Sequence, residues 1–343
     1  MNHQEKMTQY SENNAPIARV IAVHKERYQL QTATGEACFA RLKASVYYHG
    51  ASEAYPVTGD LVAFQPNPGG DGLIMATLPR RTLFQRYDGF AGSRNAQAVA
   101  ANFDTVLLLT SANHDFNPKR LRRYLAVARQ SGARYAIVIT KADQAPNVAQ
   151  YVAYAQETAP DCPVLPISAV TGQGLDGVRA YLTPGSVTVF LGSSGVGKST
   201  LVNALAGRAV MDVNGIREDD SKGRHTTTHR QILTLDNGAM IMDTPGMREL
   251  GLVDAENGVG ETFAPLTALA GQCRFSDCTH THEPGCAVRA AIDSGKITQA
   301  QWDEYQSLNR EASRKSRAEW IGIAKRQKAI SKRDRHAAKG WED

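Results

Sequence analysis

The chain has 343 residues, of which 42% are hydrophobic and 21% charged, a composition typical of a globular protein with two or three domains. Its longest apolar runs, such as VTVFLG and YAIVI, are too short to span a bilayer, and its polar N-terminus has no apolar signal core, which excludes membrane and secreted classes and favours a cytoplasmic protein. The net charge of +5 is uneven, because the segment 310–339 carries eleven Lys and Arg against three acids, a local charge of +8.

The N-terminal part of the chain predicts a disordered segment, residues 1–14, followed by a small β domain. Short β-rich runs follow in residues 15–83, separated by Gly, Pro, Asn and Asp without an intervening helix: IARVIAVHKERYQLQT, EACFARL, DLVAFQP and GLIMATL. This spacing predicts a small closed or sandwiched β domain, in which we identify no catalytic residue.

After residue 100, apolar strands alternate with amphipathic helices. The predicted strands are FDTVLLLTSA, RYAIVITKAD, CPVLPISAV and SVTVFLG, and the predicted helices are NPKRLRRYLAVARQSG, which ends at Gly132, and VAQYVAYAQETA. This alternation indicates a mostly parallel sheet covered on both faces. Beyond Gly251 the pattern stops, and AQWDEYQSLNREASRKSRAEW predicts a helix.

The stretch GSSGVGKS matches the phosphate-loop motif G-x-x-x-x-G-K-[ST] between a predicted strand and a predicted helix. Its glycines allow successive backbone N–H groups to point at phosphate oxygens. We expect Lys198 to bridge the β- and γ-phosphates and act in catalysis, and the Ser199 hydroxyl to bind Mg²⁺. The predicted phosphate-binding residues are Gly192, Ser193, Ser194, Gly195, Val196, Gly197, Lys198, Ser199 and Thr200.

Two segments downstream complete the predicted phosphate site. Asp243-Thr244-Pro245-Gly246 follows a predicted strand, where Asp243 fits a residue that holds Mg²⁺ and the Gly246 N–H fits a sensor of the γ-phosphate. Between the loop and this strand lies the polar stretch GRHTTTHR, residues 223–230. We expect Thr227, with Thr226 as the alternative, to close over the nucleotide and complete the Mg²⁺ shell during catalysis.

The residues expected to recognise the base lie upstream of the phosphate loop. The Asp143 carboxylate can accept hydrogen bonds from the guanine N1–H and 2-amino group, and adenine lacks both donors. After the next strand, the Ala169 N–H can donate to guanine O6. These parts of a Ras-like GTPase therefore appear in circularly permuted order, which is tolerable because domain termini often lie close together. The predicted GTP- and GDP-binding residues here are Thr140, Lys141, Ala142, Asp143, Ser168 and Ala169.

Three of the five cysteines fall within CRFSDCTHTHEPGC, where a disulfide scaffold does not fit a cytoplasmic chain of this size. Cys273, Cys278 and Cys286 supply three thiolates, and His280 or its neighbour His282 supplies an imidazole. Such a closed set of four ligands is typical of one structural Zn²⁺ per chain.

This combination resembles the small-ribosomal-subunit-dependent GTPases, most specifically in AANFDTVLLLTSAN, LGSSGVGKSTLVNAL, GRHTTTHR, DTPGMREL and CRFSDCTHTHEPGC. The resemblance implies a multidomain α/β protein with an N-terminal OB-fold β-barrel (15–83), a circularly permuted Ras-like P-loop GTPase domain (84–255) and a C-terminal α-helical zinc-binding domain (256–343). It implies late maturation of the 30S ribosomal subunit with GTP hydrolysis stimulated by that subunit, and 16S rRNA contacts from the flanking domains. It also favours His280 as the fourth zinc ligand.

Two positions bear on the expected mechanism. The family motif has Asn where this chain has Thr140, whose hydroxyl can make part of the contact with the phosphate loop. Met247 follows the DTPG stretch, and a thioether cannot orient water. His225 occupies a matching position in the family motif, so we predict that it positions or activates the attacking water when the ribosome orders its loop.

Zinc modules and OB-folds both serve nucleic-acid binding, so we expect the basic segment 310–339 to contact RNA, with Arg80, Arg81, Arg86 and Phe84 extending that surface. A non-catalytic RNA-binding assembly chaperone with a regulatory nucleotide pocket is the alternative, which the intact phosphate-site residues disfavour. A P-loop ATPase or kinase is disfavoured by Asp143. Nothing suggests an obligate dimer, so we expect a monomer.

Overall fold

A computed structural model describes residues 16–24, 27–43, 55–87, 96–211, 231–243 and 251–313. The N-terminal strands close into a barrel in the order β1-β2-β3-β5-β4, because β4 pairs back onto β1. β3 and β5 are parallel, and the other pairs are antiparallel. The predicted OB-fold β-barrel is confirmed. Its strands are β1 (Ile17–His24), β2 (Arg27–Thr32), β3 (Ala37–Leu42), β4 (Leu61–Gln65) and β5 (Gly72–Thr77).

A two-stranded antiparallel sheet, β6 (Leu83–Tyr87) and β7 (Ala96–Ala101), follows the barrel. Phe84 on β6 is 1% exposed and packs against Phe103, with ring centroids 4.4 Å apart. The Arg80 guanidinium is mostly buried and pairs with the fully buried Asp60 carboxylate at 2.8 Å. The expectation that Phe84 and Arg80 extend an exposed RNA surface is therefore wrong, because the fold uses both side chains internally.

The second domain contains a six-stranded sheet in the order β10-β9-β8-β11-β13-β12. All neighbouring pairs are parallel except β12 and β13. The strands that precede the phosphate loop in sequence and those that follow it thus form one sheet. Within this sheet β11 lies between β8 and β13. The strands are β8 (Thr105–Ser111), β9 (Arg134–Thr140), β10 (Val164–Pro166), β11 (Val187–Gly192), β12 (Gln231–Thr234) and β13 (Met240–Asp243).

Four helices accompany this sheet: α1 (Pro118–Ser131), α2 (Val148–Thr158), α3 (Leu175–Arg179) and α4 (Lys198–Ala206). α1 begins where the Asn117 side chain accepts a hydrogen bond from the Arg120 N–H, and it ends at Gly132 in the left-handed conformation, as predicted. Separate apolar clusters lie on the two faces of the sheet, which explains why its central strands are apolar throughout.

The C-terminal region is helical, with α5 (Glu256–Thr262), α6 (Ala264–Ala270), α7 (Ala287–Asp293) and α8 (Gln299–Ala312). α5 packs closely on α1 at Gly258, where a Cβ atom would lie 2.1 Å from the Ala126 carbonyl oxygen. Trp302, Tyr305 and Leu308 of α8 belong to the same buried cluster as the core face of α1. Among the described residues, no helix has the length and apolar character needed to cross a membrane.

The sheet of the second domain continues into the barrel. Its outermost strand, β12, pairs antiparallel with β1 of the barrel through Gln231 and Ala22. Beside this edge the buried Arg19 guanidinium donates hydrogen bonds to the carbonyl oxygens of Gly59 and Asn102, at 3.1 and 3.3 Å. Burial lowers the pKa of Arg19 to about 10. A buried cation on a barrel strand therefore holds backbone from both domains.

Replacing Thr105 by Val is expected to raise the free energy of unfolding by about 1 kcal/mol. The Thr105 hydroxyl is buried on β8 and has no hydrogen-bond partner among the described residues, so its removal relieves a desolvation cost. Thr188, its register partner on β11, is the matched control, because its hydroxyl donates to the Tyr181 carbonyl oxygen at 3.4 Å. Denaturant unfolding should show stabilisation for Thr105→Val and destabilisation for Thr188→Val; equal destabilisation by both would contradict the prediction.

Candidate nucleotide and metal sites

The phosphate loop connects β11 to α4 at the carboxyl end of the sheet. Gly195 and Gly197 have φ angles of 73° and 98°, in the left-handed region that glycine adopts without strain. Val196, which lies between these two glycines, is 2% exposed. Its side chain packs into the apolar cluster on one face of the sheet and so holds the loop against the sheet. Lys198, Ser199 and Thr200 form the first turn of α4, where backbone N–H groups have no helical partner and favour an anion.

The two predicted base-binding segments follow neighbouring parallel strands. Thr140 ends β9, and a 3-10 turn over Ala142–Gln144 comes next, with Asp143 exposed. The Ala142 N–H donates to the Ile167 carbonyl oxygen at 3.0 Å, which connects this turn to the segment after β10. There Ser168 is fully buried, and its hydroxyl oxygen accepts the Thr171 N–H at 3.1 Å. The two segments therefore meet at the carboxyl end of the sheet, where the phosphate loop also lies.

Thr140 connects the predicted base-binding turn to the phosphate loop. Its hydroxyl donates to the Val196 carbonyl oxygen at 2.5 Å, and the Thr110 carbonyl oxygen lies farther away, at 3.2 Å. Thr140 is 2% exposed, so water does not compete for this bond. The expected contact between the Thr140 hydroxyl and the phosphate loop is confirmed.

Four predicted site residues, His225, Thr226, Thr227 and Gly246, lie outside the described residues. Asp243 is the last residue of β13, and β13 runs parallel to β11, the strand that enters the phosphate loop. The backbone of Asp243 therefore reaches the same edge of the sheet as Gly192.

A cavity of about 950 Å³, lined mostly by charged and polar residues, lies beside the phosphate loop. Ser193 and Ser194 form part of its wall, and Arg120 and Arg123 of α1 contribute positive charge. On the opposite side, α8 contributes Asp303, Glu304 and Ser307 to the wall. Sequence reasoning missed this contribution of the C-terminal helix, because no motif in α8 marks it.

The cysteine cluster has the geometry of a four-coordinate metal site. The ligand atoms of Cys273, Cys278, His280 and Cys286 all lie within 4.8 Å of one another. The two sulfurs of Cys273 and Cys286 are 3.9 Å apart, and the His280 Nδ1 atom is 3.4 and 3.6 Å from them. A tetrahedral site with metal–sulfur bonds of about 2.3 Å requires separations of about 3.8 and about 3.5 Å. The cluster therefore fits such an ion, and it contains His280 rather than His282.

Glu283 organises the turn that carries His280. Its carboxylate accepts the N–H groups of Thr279, Thr281 and His282 at 2.9 to 3.1 Å, together with the Thr279 hydroxyl. These bonds, led by that hydroxyl, hold the pKa of the Glu283 carboxyl well below its usual range. His280 adopts φ 62°, and its ring packs edge-on against Trp302 at 4.9 Å. Sequence reasoning missed Glu283, because a glutamate between metal ligands is not itself a ligand signal.

The comparison with known proteins agrees with this geometry. A family model described as RsgA GTPase matches residues 77–253. The small ribosomal subunit biogenesis GTPase RsgA 2 of Lactiplantibacillus plantarum is 43% identical over 303 residues, which cover 88% of this chain and 85% of the relative. The corresponding RsgA of Streptomyces coelicolor is 42% identical over 334 residues, covering 94% and 89% of the two chains.

Two solved structures share the architecture. The crystal structure of YjeQ from Thermotoga maritima has a TM-score of 0.63 and 26% identity, and the match covers 88% of this chain and 99% of that one. YloQ, described as a circularly permuted GTPase, has a TM-score of 0.59 at 22% identity, with 87% and 95% coverage. The second likeness supports the fold alone. With the permuted sheet, the phosphate loop and the matched family model in agreement, the chain belongs to the RsgA GTPase family.

Proposed function

We propose that this chain hydrolyses GTP to GDP and phosphate during late maturation of the small ribosomal subunit, and that binding to the 30S subunit stimulates hydrolysis. One observation carries the nucleotide assignment: the phosphate loop and the upstream base-binding turn meet at one sheet edge through the hydrogen bond from Thr140 to Val196. The names of the curated relatives support the ribosomal role. We place its action in the cytoplasm, as a monomer.

In the proposed site, the N–H groups of the phosphate loop and the Lys198 ammonium bind the β- and γ-phosphates. Ser199, Asp243 and Thr227 would hold Mg²⁺, which would neutralise charge that develops on the phosphate oxygens. The Gly246 N–H contacts the γ-phosphate. The position of Ser199 in the first turn of α4 and of Asp243 at the adjacent strand end supports this assignment.

Guanine recognition is assigned to the two segments after β9 and β10. Asp143 accepts from N1–H and the 2-amino group, and the Ala169 N–H donates to O6. Thr140 supports the pocket by fixing the turn against the phosphate loop. His225 is the proposed residue that positions the attacking water, because the side chain of Met247 cannot do so.

We further propose that the Cys₃His cluster holds one structural Zn²⁺, since its four ligands leave no open position. Contacts with 16S rRNA are assigned to the basic segment 310–339 and to the outer face of the barrel. On that face Phe39 is 37% exposed, and the Arg27 guanidinium lies 3.8 Å from the centre of its ring. Guanidinium and aromatic planes are the surfaces on which unstacked RNA bases pack.

Hydrolysis of GTP and of ATP, measured with and without 30S subunits, tests the proposed function. We expect GTP-selective turnover that subunits raise about tenfold or more, which corresponds to at least about 1.4 kcal/mol of transition-state stabilisation. Raising salt from about 50 to about 200 mM should weaken the stimulation, because RNA docking releases counterions.

His225→Ala separates the enzyme from the chaperone alternative. This variant should lose subunit-stimulated turnover while its nucleotide affinity stays unchanged. If subunits bind the unaltered protein without changing its hydrolysis rate, the chaperone function is favoured. If His225→Ala retains stimulated turnover, His225 has no part in positioning the water.

A further inference from the structure

α8 connects the metal cluster to the segment that follows β13. Near its beginning, Trp302 packs against the ring of His280, one of the cluster residues. Near its end, the Glu311 carboxylate accepts the backbone N–H of Leu252 at 3.3 Å. Glu311 follows Trp302 by nine positions in the helix, which corresponds to about 14 Å along its axis. One helix therefore contacts both the metal cluster and the chain that returns from the nucleotide site.

Two matched ion pairs join α8 to α1. Arg122 donates two hydrogen bonds to Glu304, both at 2.9 Å, and Arg123 donates two to Glu311, at 2.7 and 2.5 Å. Both pairs are half-buried and bidentate, the arrangement in which an arginine–carboxylate pair is strongest. The two glutamates are seven residues apart, so they lie on the same face of α8.

Only the second pair also holds the segment after β13. Leu252 is fully buried, and its N–H is bound by the same carboxylate that pairs with Arg123. Glu304 hydrogen-bonds only Arg122 within the part of the chain that the structure describes. Of the two bidentate pairs described between α1 and α8, one therefore reaches Leu252 and the other does not.

The position of Leu252 makes this contact relevant to the nucleotide. It lies nine residues beyond Asp243, the proposed Mg²⁺ ligand, and six beyond Gly246, the proposed contact of the γ-phosphate. In P-loop GTPases the segment that contacts the γ-phosphate changes its order when that phosphate is lost. Arg123 also lines the cavity beside Ser193 and Ser194 of the phosphate loop. The Glu311 carboxylate therefore connects α8 both to the segment after β13, through Leu252, and to the cavity beside the phosphate loop, through Arg123.

We propose that Glu311 is a positioning residue that couples the γ-phosphate state of the nucleotide site to the metal-binding C-terminal domain. Its carboxylate holds the Leu252 N–H and the Arg123 guanidinium together, so a displacement of the 251–255 segment changes the contacts of α8. The proposal rests on the proposed GTPase function, because it requires that GTP and GDP occupy the site.

Amide hydrogen exchange of the full-length, metal-loaded protein tests this coupling, with GDP or a non-hydrolysable GTP analogue bound. In the unaltered protein, exchange in α8 should differ between the two nucleotides. Glu311→Ala should abolish that difference. Glu304→Ala should accelerate exchange in α8 equally with both nucleotides and preserve the difference. A purely structural role for Glu311 would make both variants behave alike.

Nucleotide affinities provide the second readout, because coupling between two sites is reciprocal. The ratio of affinities for the GTP analogue and GDP should change about fivefold or more in Glu311→Ala. Because Glu304 lines the cavity beside the phosphate loop, Glu304→Ala should change both affinities by the same factor and leave their ratio constant. Glu311→Gln keeps an acceptor for the Leu252 N–H but loses the charged pair, so it should retain a reduced difference in exchange if Glu311→Ala fails to fold.

Failure of the coupling can be distinguished from failure of the function. If the unaltered protein binds neither nucleotide, the GTPase assignment is wrong. If it binds both but α8 exchanges equally with each, the coupling proposal alone is overturned. A full wild-type difference in both Glu311→Ala and Glu311→Gln would overturn it as well.

Discussion

Replacing Asp143 by Asn is expected to lower the affinity for GTP about 100-fold or more and to make xanthosine triphosphate the preferred nucleotide. The carboxylate accepts both donors of guanine, whereas an amide presents an NH₂ group to the guanine 2-amino group and loses one hydrogen bond. Xanthine has an oxygen at that position, which accepts from the same NH₂ group. Competition with a labelled nucleotide measures both affinities.

Asp176→Asn is the matched control for this prediction. Asp176 is a fully exposed acid on α3 whose carboxylate pairs with Arg179 at 2.9 Å. Its replacement changes the net charge by the same amount without touching the proposed base-binding turn, so GTP preference should persist. If Asp143→Asn also keeps GTP preference, the proposed role of Asp143 in recognising guanine is wrong.

Replacing Cys286 by Ala is expected to reduce bound zinc from one ion per chain to almost none and to unfold the cluster region. Cys286 is 6% exposed and occupies the N-cap position of α7, so the lost ligand also frees the start of that helix. Structural zinc contributes about 10 kcal/mol or more in small zinc modules, far more than any single side-chain contact in this region. Metal analysis and hydrogen exchange over 273–312 measure the two effects.

Cys162→Ala separates metal loss from the loss of a buried thiol. Cys162 is also 6% exposed and belongs to the same buried apolar cluster as the core face of α1, but its thiol lies outside the Cys₃His group. This control should keep one zinc ion and show only the modest destabilisation of a small core truncation. Retention of a full zinc ion by Cys286→Ala would contradict the proposed ligand set.

Local patterns were sufficient to predict several elements of the fold. α1 begins at Pro118, directly after its N-cap Asn117, and ends before Gly132, because helix caps depend on residues within one turn. The phosphate loop is equally local, since its glycines and the following helix supply the whole anion-binding backbone. The order of the base-binding and phosphate-binding motifs was enough to predict the permuted sheet, because the carboxyl ends of parallel strands meet at one edge.

Long-range packing decided what these patterns did not indicate. Phe84 and Arg80 are residue types that are common on RNA-binding surfaces. In the structure, however, Phe84 packs on Phe103 and Arg80 pairs with buried Asp60. Whether an arginine faces solvent or a buried carboxylate depends on a residue that is distant in sequence, which no local pattern encodes. The shared edge between the barrel and the second domain, at Ala22 and Gln231, has the same origin.

The sequence by itself determined the fold class, the phosphate loop and the identity of the clustered cysteines, because each depends on residue types at short spacing. It left His280 and His282 as rivals, and the backbone turn held by Glu283 placed His280 among the thiols. It also did not indicate that α8 lies beside the phosphate loop or that Glu311 binds Leu252. Those contacts join residues 59 or more positions apart, so only the tertiary structure brings them together.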